Sequence, residues 1–310
     1  LLSLWPLVLV YIGFRCLQAA RTSRAVIVYR YSSWFFFCVA GVLLVYNFPY
    51  TYGRFDQYHG DQGPGPYQAF IDHVVSRDGV VFWAHPEVAV DRTIKKGVMT
   101  ARIVTEPYHE MLLQTHNYTG FAALYEGVKY VIPPGGIWDQ VLDQYCSGQR
   151  ERAVWAIAEG DVEGGQFSPK LTQTVFLLKD RSRAAAVDAL KRGRVYALAG
   201  QVADRTVLEE FVLTSGDASA RSGDVLEGPA DKVRVAARIT CGSSPKGNTI
   251  RADLIRSGKV VQTYKADGEL EIDFEDAADP GMVYYRLDAR LPGQTRLLSN
   301  PIFVKGPESI

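Results

Sequence analysis

Paired cysteines are missing from this sequence. The four present, Cys16, Cys38, Cys146 and Cys241, lie far apart and form no C-x-x-C pair, which argues against a disulfide framework and against a zinc knuckle built on thiols. Cys16 and Cys38 sit in apolar surroundings, where a thiol acts as a small hydrophobe. Net charge is missing as well. The 34 basic and 34 acidic residues cancel, so no global field draws nucleic acid, and no nucleic-acid partner is expected. Histidine is scarce, five in all with none beyond His116. What is present in quantity is apolar material, enough in 310 residues for two domains or one large one. The chain starts at Leu1 rather than Met, and an upstream part is expected to be missing.

Residues 1–48 differ from all that follows. Leu1–Phe14 is almost wholly apolar, and Arg15, Arg21, Arg24 and Arg30 then come with no acidic residue among them. Tyr31–Phe48 is an uncharged span of 18 residues, just long enough to cross a bilayer. The positive-inside rule puts the arginines on the cytoplasmic side and the rest of the chain outside. The expectation is a membrane-anchored protein with extracytoplasmic soluble domains, associated with the membrane through residues 31–48. The alternative is a pair of buried core elements, or a stretch not native to the fold, in a soluble protein.

From Pro49 the composition becomes that of a soluble protein. Its central stretch is Gly79–Glu87, in which the apolar run Val80–Ala84 is the length of one buried strand. Pro86 removes the next backbone N–H and ends the ladder. His85 then stands at the C-terminal tip of that strand, the edge where parallel α/β folds build their sites; a histidine satisfied by a loop carbonyl is the bland alternative. Two more apolar runs follow: Tyr118–Tyr125, ending on Glu126, and Val154–Ala158, ending in Glu159-Gly160-Asp161-Val162-Glu163. Their ends are spaced by roughly 35–40 residues, about one strand–helix unit with loops. A histidine and several carboxylates delivered to one rim suit a hard or borderline divalent metal. His59, between Asp56 and Asp61 in a Gly/Pro/Tyr-rich loop, is either part of a ligand loop or of a solvated turn. His73, His109 and His116 read as surface or core-edge residues.

Helices are predicted over Pro66–Arg77, from an N-cap at Thr105, over Ile137–Cys146, and over Ser182–Gly193 with Ser182 as N-cap and Gly193 as stop. Strands are predicted at Gln173–Leu178 and Arg194–Ala199. This alternation across residues 66–200 predicts a largely parallel sheet or barrel. From Val202 the period changes. Val207–Thr214, Lys232–Thr240, Thr249–Arg256, Val260–Tyr264, Leu270–Phe274, Met282–Arg290 and Ile302–Val304 read as strands separated by short turns, an all-β sandwich of roughly one hundred residues. It contains no histidine, and its expected role is support or partner binding.

Four stretches, Phe82–Glu87, Tyr118–Phe121, Trp155–Asp161 and Ala189–Tyr196, together with Ser299-Asn300-Pro301-Ile302-Phe303-Val304 near the C-terminus, carry a resemblance. They resemble the PHP (polymerase and histidinol phosphatase) superfamily, and within it the CehA/McbA-like metallohydrolases. The resemblance implies an α/β fold: a distorted (β/α)7 PHP-type barrel, incomplete at its N-terminus, plus a C-terminal all-β sandwich. The implied division is residues 1–48 as the hydrophobic segment, 49–202 as the barrel and 203–310 as the sandwich. It further implies two or three divalent metal ions (Zn, Mn or Fe) that polarise a phosphoryl oxygen and supply a bound hydroxide. His85 matches the family's His-Pro ligand and Asp161 the aspartate of its late Asp-x-His motif. Glu126 and His59 are lesser candidate ligands, and Glu159 and Glu163 candidate proton-transfer groups. The family's His-x-His strand and its Thr-Asp-His turn do not occur here, and Glu163 stands where the late motif has histidine, so the site is expected to be incomplete. The function implied is divalent-metal-dependent hydrolysis of a phosphoester or related ester, with a small molecule or phosphoester as substrate. The alternative is a non-catalytic PHP-like binding or scaffold protein.

Overall fold

The computed structural model describes residues 5–22, 24–47, 63–97, 99–124, 127–160, 171–229, 231–242 and 247–306. They form two compact units divided between Phe70 and Ile71. The first holds α1 (Trp5–Thr22) and α2 (Val26–Asn47), and the division falls within α3 (Gly65–Val75). Gly13 lets α1 approach α2 closely: a Cβ there would come within 2.7 Å of the Phe37 ring, which instead packs edge-on against Phe14 at 5.3 Å. α2 is apolar all round, and it leaves Ile27, Trp34, Phe35 and Val42 exposed. Such a helix has no solvent-facing side and needs an apolar surround. Val26–Leu44 is long and apolar enough to cross a membrane. It begins ahead of the span expected at Tyr31, because Arg30 is accommodated within the helix.

The second unit begins with β1 (Phe82–Trp83), β2 (Val90–Lys96), β3 (Met99–Thr105), α4 (Met111–Gln114), β4 (Gly120–Leu124), α5 (Ile137–Cys146), β5 (Trp155–Ala158), β6 (Thr172–Phe176), α6 (Arg183–Arg192) and β7 (Val195–Ala199). Then follow β8 (Thr206–Ser215), β9 (Ala218–Arg221), β10 (Val225–Glu227), β11 (Lys232–Cys241), β12 (Thr249–Arg256), β13 (Lys259–Asp267), β14 (Glu269–Ala277), β15 (Met282–Leu291), β16 (Thr295–Ser299) and β17 (Ile302–Lys305). β1, β4 and β5 make a parallel three-stranded sheet in the order β1-β4-β5, and β2 and β3 pair only with each other. A four-stranded sheet runs β14-β11-β8-β9. An eight-stranded sheet runs β10-β17-β15-β16-β7-β6, with β12 on β15 and β13 on β12. The inward faces of these two larger sheets share one core, in which Leu213, Val235, Ile239, Leu254, Leu287 and Leu297 are fully buried.

The expected (β/α)7 barrel is not formed; the described residues are mostly β, in several sheets. One physical reason lies at the outer edge of β5. Where a barrel would add a parallel strand, two side chains satisfy the backbone instead. Asn300 Oδ1 accepts from Ala156 N–H at 2.7 Å while its Nδ2 donates to the Ala156 carbonyl at 3.1 Å. Thr174 Oγ1 accepts from Ala158 N–H at 3.0 Å and donates to the Ala158 carbonyl at 2.7 Å. An edge closed this way has no row of free donors left to template another strand.

The second reason is strand direction. β6 and β7 pair antiparallel with each other, and β7 pairs antiparallel with β16, so both belong to the large sheet. The helix between them does form as predicted: Ser182 Oγ accepts from Ala185 N–H at 3.0 Å, and Gly193 ends α6 at φ +69°. A Cβ at Gly193 would also meet the Trp155 ring at 2.4 Å. Alternating helix and strand therefore marked the elements but not the direction in which the chain re-enters the sheet. The helix predicted from Thr105 is also corrected. Thr105 ends β3, and between it and β4 only the four residues of α4 are helical.

β15 is buried on both faces, and the alternation of its side chains divides the work. Tyr285, Leu287 and Ala289 enter the core between the larger sheets. Tyr284 and Arg286 point the other way, toward α5.

Candidate functional site

The parallel register Trp83↔Phe121 and Leu124↔Ala158 brings the C-terminal ends of β1, β4 and β5 to one edge. His85 follows β1 and Glu159 follows β5 there. The two meet, but through the backbone: His85 N–H donates to Glu159 Oε1 at 2.6 Å. His85 is half-buried and sits at φ +23°, a conformation non-glycine residues seldom adopt. The carboxylate that accepts its amide helps hold it there.

The imidazole is oriented by Tyr108, whose hydroxyl donates to the Ala84 carbonyl at 2.6 Å and lies 2.9 Å from His85 Nδ1. Since the phenolic hydrogen is committed to Ala84, Nδ1 must carry the proton and donate to the Tyr108 oxygen. That tautomer leaves the lone pair on Nε2, to which no described residue bonds. The neighbouring carboxylate, Glu87, is spent on backbone. Oε1 accepts from Tyr130 and Val131 N–H at 2.6 and 2.7 Å, and Oε2 from Lys129 N–H at 2.8 Å. His109 stacks on Tyr130 at 4.9 Å, and Tyr108 N–H donates to the Pro86 carbonyl at 3.0 Å. These bonds tie the loop after β1 to the loop after β4.

Of the residues expected to act at this rim, the structure brings together His85 and Glu159. His59, Glu126, Asp161 and Glu163 lie outside the described residues. Among the described residues no group of three or more His, Cys, Asp or Glu side chains comes together that could hold a metal. The expectation of a metal-binding group is corrected to that extent: the described residues bring only His85 and Glu159 together. Among the described residues the rim offers one imidazole nitrogen beside a carboxylate already bonded to a backbone amide, fewer than the three or four donors a Zn, Mn or Fe ion takes. His109 and His116 flank the single short turn of α4. Burial, and behind it the Arg150 charge, hold the His116 pKa below its ordinary value.

A cleft of about 570 Å³ lies at the opposite edge of the sheet, where β1, β4 and β5 begin, lined among others by Asp78, Thr119, Arg152, Trp155 and Lys191. Lys191 Nζ pairs with Asp78 at 2.5 Å, and this hydrogen bond holds the exposed Asp78 carboxyl below its usual range.

The backbone role of Glu159 makes a simple prediction. Glu159→Gln keeps an amide oxygen to accept the His85 N–H and is expected to leave the denaturation midpoint nearly unchanged. Glu159→Ala is expected to lose about 1–2 kcal/mol. Equal losses in the two variants would mean that the charge, not the acceptor, matters.

No family model matches the chain, and no curated protein matches it. Among solved structures it is similar to the C-terminal domain of wzt, at 8% identity over 36% of this chain and 78% of that one, with a TM-score of 0.24. It is also similar to the N-terminal domain of PorA, at 9% identity over 33% of this chain and 100% of that one, with a TM-score of 0.17. A third is chicken MD-1 complexed with lipid IVa, at 13% identity over 34% of this chain and 89% of that one, with a TM-score of 0.14. At these TM-scores none of the three bears on what this chain does.

Proposed function

We propose that this chain is a membrane-anchored, non-catalytic binding or scaffold protein, in which a rim of catalytic appearance serves as structure. One observation carries the reading. The acidic and phenolic groups described at the strand ends hold backbone partners: Glu159 accepts the His85 amide through Oε1, Glu87 accepts three amides of the facing loop, and the Tyr108 hydroxyl donates to the Ala84 carbonyl. A group that acts in proton transfer has to exchange its partner during the reaction, and these groups would release a loop by doing so. The anchor is Val26–Leu44. Arg21 and Arg24 lie at the turn between α1 and α2 and Arg30 in the first turns of α2, which puts that turn on the cytoplasmic side and the chain beyond Asn47 outside.

A second reading, hydrolysis of a phosphoester or related ester as in the PHP superfamily that the chain resembles, is favoured by the free Nε2 lone pair of His85. One assay separates the two. The full chain and His85→Asn, a substitution that tolerates positive φ, are compared on phosphomonoester, phosphodiester and carboxylester substrates. The scaffold reading expects no turnover above background in either. Turnover that falls at least a hundredfold in His85→Asn would overturn it and establish the hydrolase.

A further inference from the structure

The hairpin formed by β2 and β3 leaves the rim just after Glu87 and returns just before Tyr108, and it makes a two-stranded sheet of its own. A lone ribbon of two strands is marginal in water, so apolar residues exposed on it call for a surface to cover them. The register assigns the faces. Val90, Arg92 and Ile94 stand opposite Thr105, Ile103 and Ala101 on one face. Asp91, Thr93 and Lys95 stand opposite Val104, Arg102 and Thr100 on the other, where the lone aliphatic Val104 is 52% exposed. On that second face the one acid of the hairpin is neutralised, since Arg102 Nε and Nη2 donate to the two Asp91 oxygens at 2.8 and 2.7 Å. The first face carries Val90, Ile94 and Ile103 around Arg92 with no acidic residue; Ile94 is 44% exposed and Ile103 37%. Over the whole hairpin the sequence sets Arg92, Lys95, Lys96 and Arg102 against Asp91 alone.

We propose that the Val90/Arg92/Ile94/Ile103 face of this hairpin docks on the surface of an anionic bilayer. Aliphatic side chains beside an unopposed guanidinium match the boundary between acyl chains and negatively charged headgroups. Each basic residue near such a surface favours partition by roughly fivefold. The proposal rests on the membrane-anchored reading, because a tether at Val26–Leu44 holds the hairpin at a high effective concentration beside the lipid.

The test is hydrogen exchange of residues 90–105 in the full chain, in lipid nanodiscs of phosphatidylcholine and of phosphatidylcholine with phosphatidylglycerol. The expected result is at least tenfold slower exchange in the anionic discs, abolished in Arg92→Glu and largely kept in Lys95→Glu, which makes the same charge change on the opposite face. Equal exchange in both discs overturns the proposal. So does a loss no greater in Arg92→Glu than in Lys95→Glu. Slowing that needs no lipid and grows with protein concentration would assign the face to a second copy, and also overturns it. Co-migration of the chain with neutral discs reports the anchor separately. If the chain stays out of them, the anchored reading fails, and the hairpin is read by the same exchange assay against added anionic vesicles.

Discussion

Asp139→Ala is expected to lower stability by about 3–5 kcal/mol, since it strands a buried guanidinium. In a unit of this size that amounts to a fall of roughly 6–20 °C in melting temperature. Asp139, on α5, and Arg286, on β15, are 1% and 0% exposed in their side chains. Arg286 donates to both Asp139 oxygens, from Nε at 2.7 Å and Nη2 at 2.6 Å, and Nη2 also reaches the Ile132 carbonyl at 3.1 Å. Asp139 accepts further from the Tyr284 hydroxyl at 2.9 Å and from Gly135 N–H at 2.8 Å. Burial and the neighbouring Asp139 carboxylate push the Tyr284 phenol well above its ordinary pKa, so it remains a donor. The guanidinium also lies over the Trp138 ring at 4.7 Å, a contact favourable for a desolvated cation. The cluster joins the layer that carries His85 to the eight-stranded sheet. Asp139→Ala with Arg286→Met is expected to recover part of the loss, because no uncompensated charge then stays buried. Denaturation followed by tryptophan fluorescence measures both. A double variant as unstable as the sum of the singles would mean that the two charges do not act as a pair.

The second large effect is expected at Asn300, which is fully buried. Its amide bonds the N–H and carbonyl of Ala156 and the carbonyl of Val195, at 2.7, 3.1 and 3.0 Å. One side chain thus imitates a peptide group and bridges β5 to β7. Asn300→Ala leaves three buried backbone groups unpaired and is expected to cost about 3–5 kcal/mol. Asn300→Asp is expected to cost at least as much, because it replaces two donors with buried charge. The specific check is exchange of the Ala156 amide, which should rise by more than the global loss of stability accounts for. An unchanged Ala156 amide would show that another group supports this edge.

Much of the local structure could be read directly. The helix Ile137–Cys146 and the caps Ser182 and Gly193 lie where apolar spacing and capping chemistry put them. Seven strands from Thr206 onward follow from alternation and turn residues, because one face of each is buried and the sequence has to record that. The stretch Ser299–Val304 was legible as a motif but not as a mechanism; nothing in it states that Ser299 Oγ accepts from the Leu287 amide or that Asn300 caps β5. Asp139 and Arg286 did leave a signal. Each is a charged residue among buried neighbours, Asp139 beside Ile137, Trp138, Val141 and Leu142, and Arg286 within Tyr284–Ala289. Reading that signal required knowing that β15 is covered on both faces, which a single strand does not disclose.

By itself, then, the sequence determined an apolar N-terminal helix, a histidine at the end of an apolar strand, and the period of the β-rich tail. These follow from side-chain chemistry over a few neighbouring residues. Tertiary structure decided which way each strand runs and what each polar group is used for. Helix–strand alternation is the same whether the chain re-enters a sheet parallel or antiparallel, and the antiparallel pairing of β6 with β7, with Asn300 and Thr174 closing β5, made sheets instead of a barrel. The Glu159 carboxylate looked available for chemistry, and Glu87 went unassigned, because sequence shows a charge without its partner. Folding brings them backbone amides from residues 42 to 74 positions away, and a buried or half-buried donor takes the nearest acceptor that geometry provides.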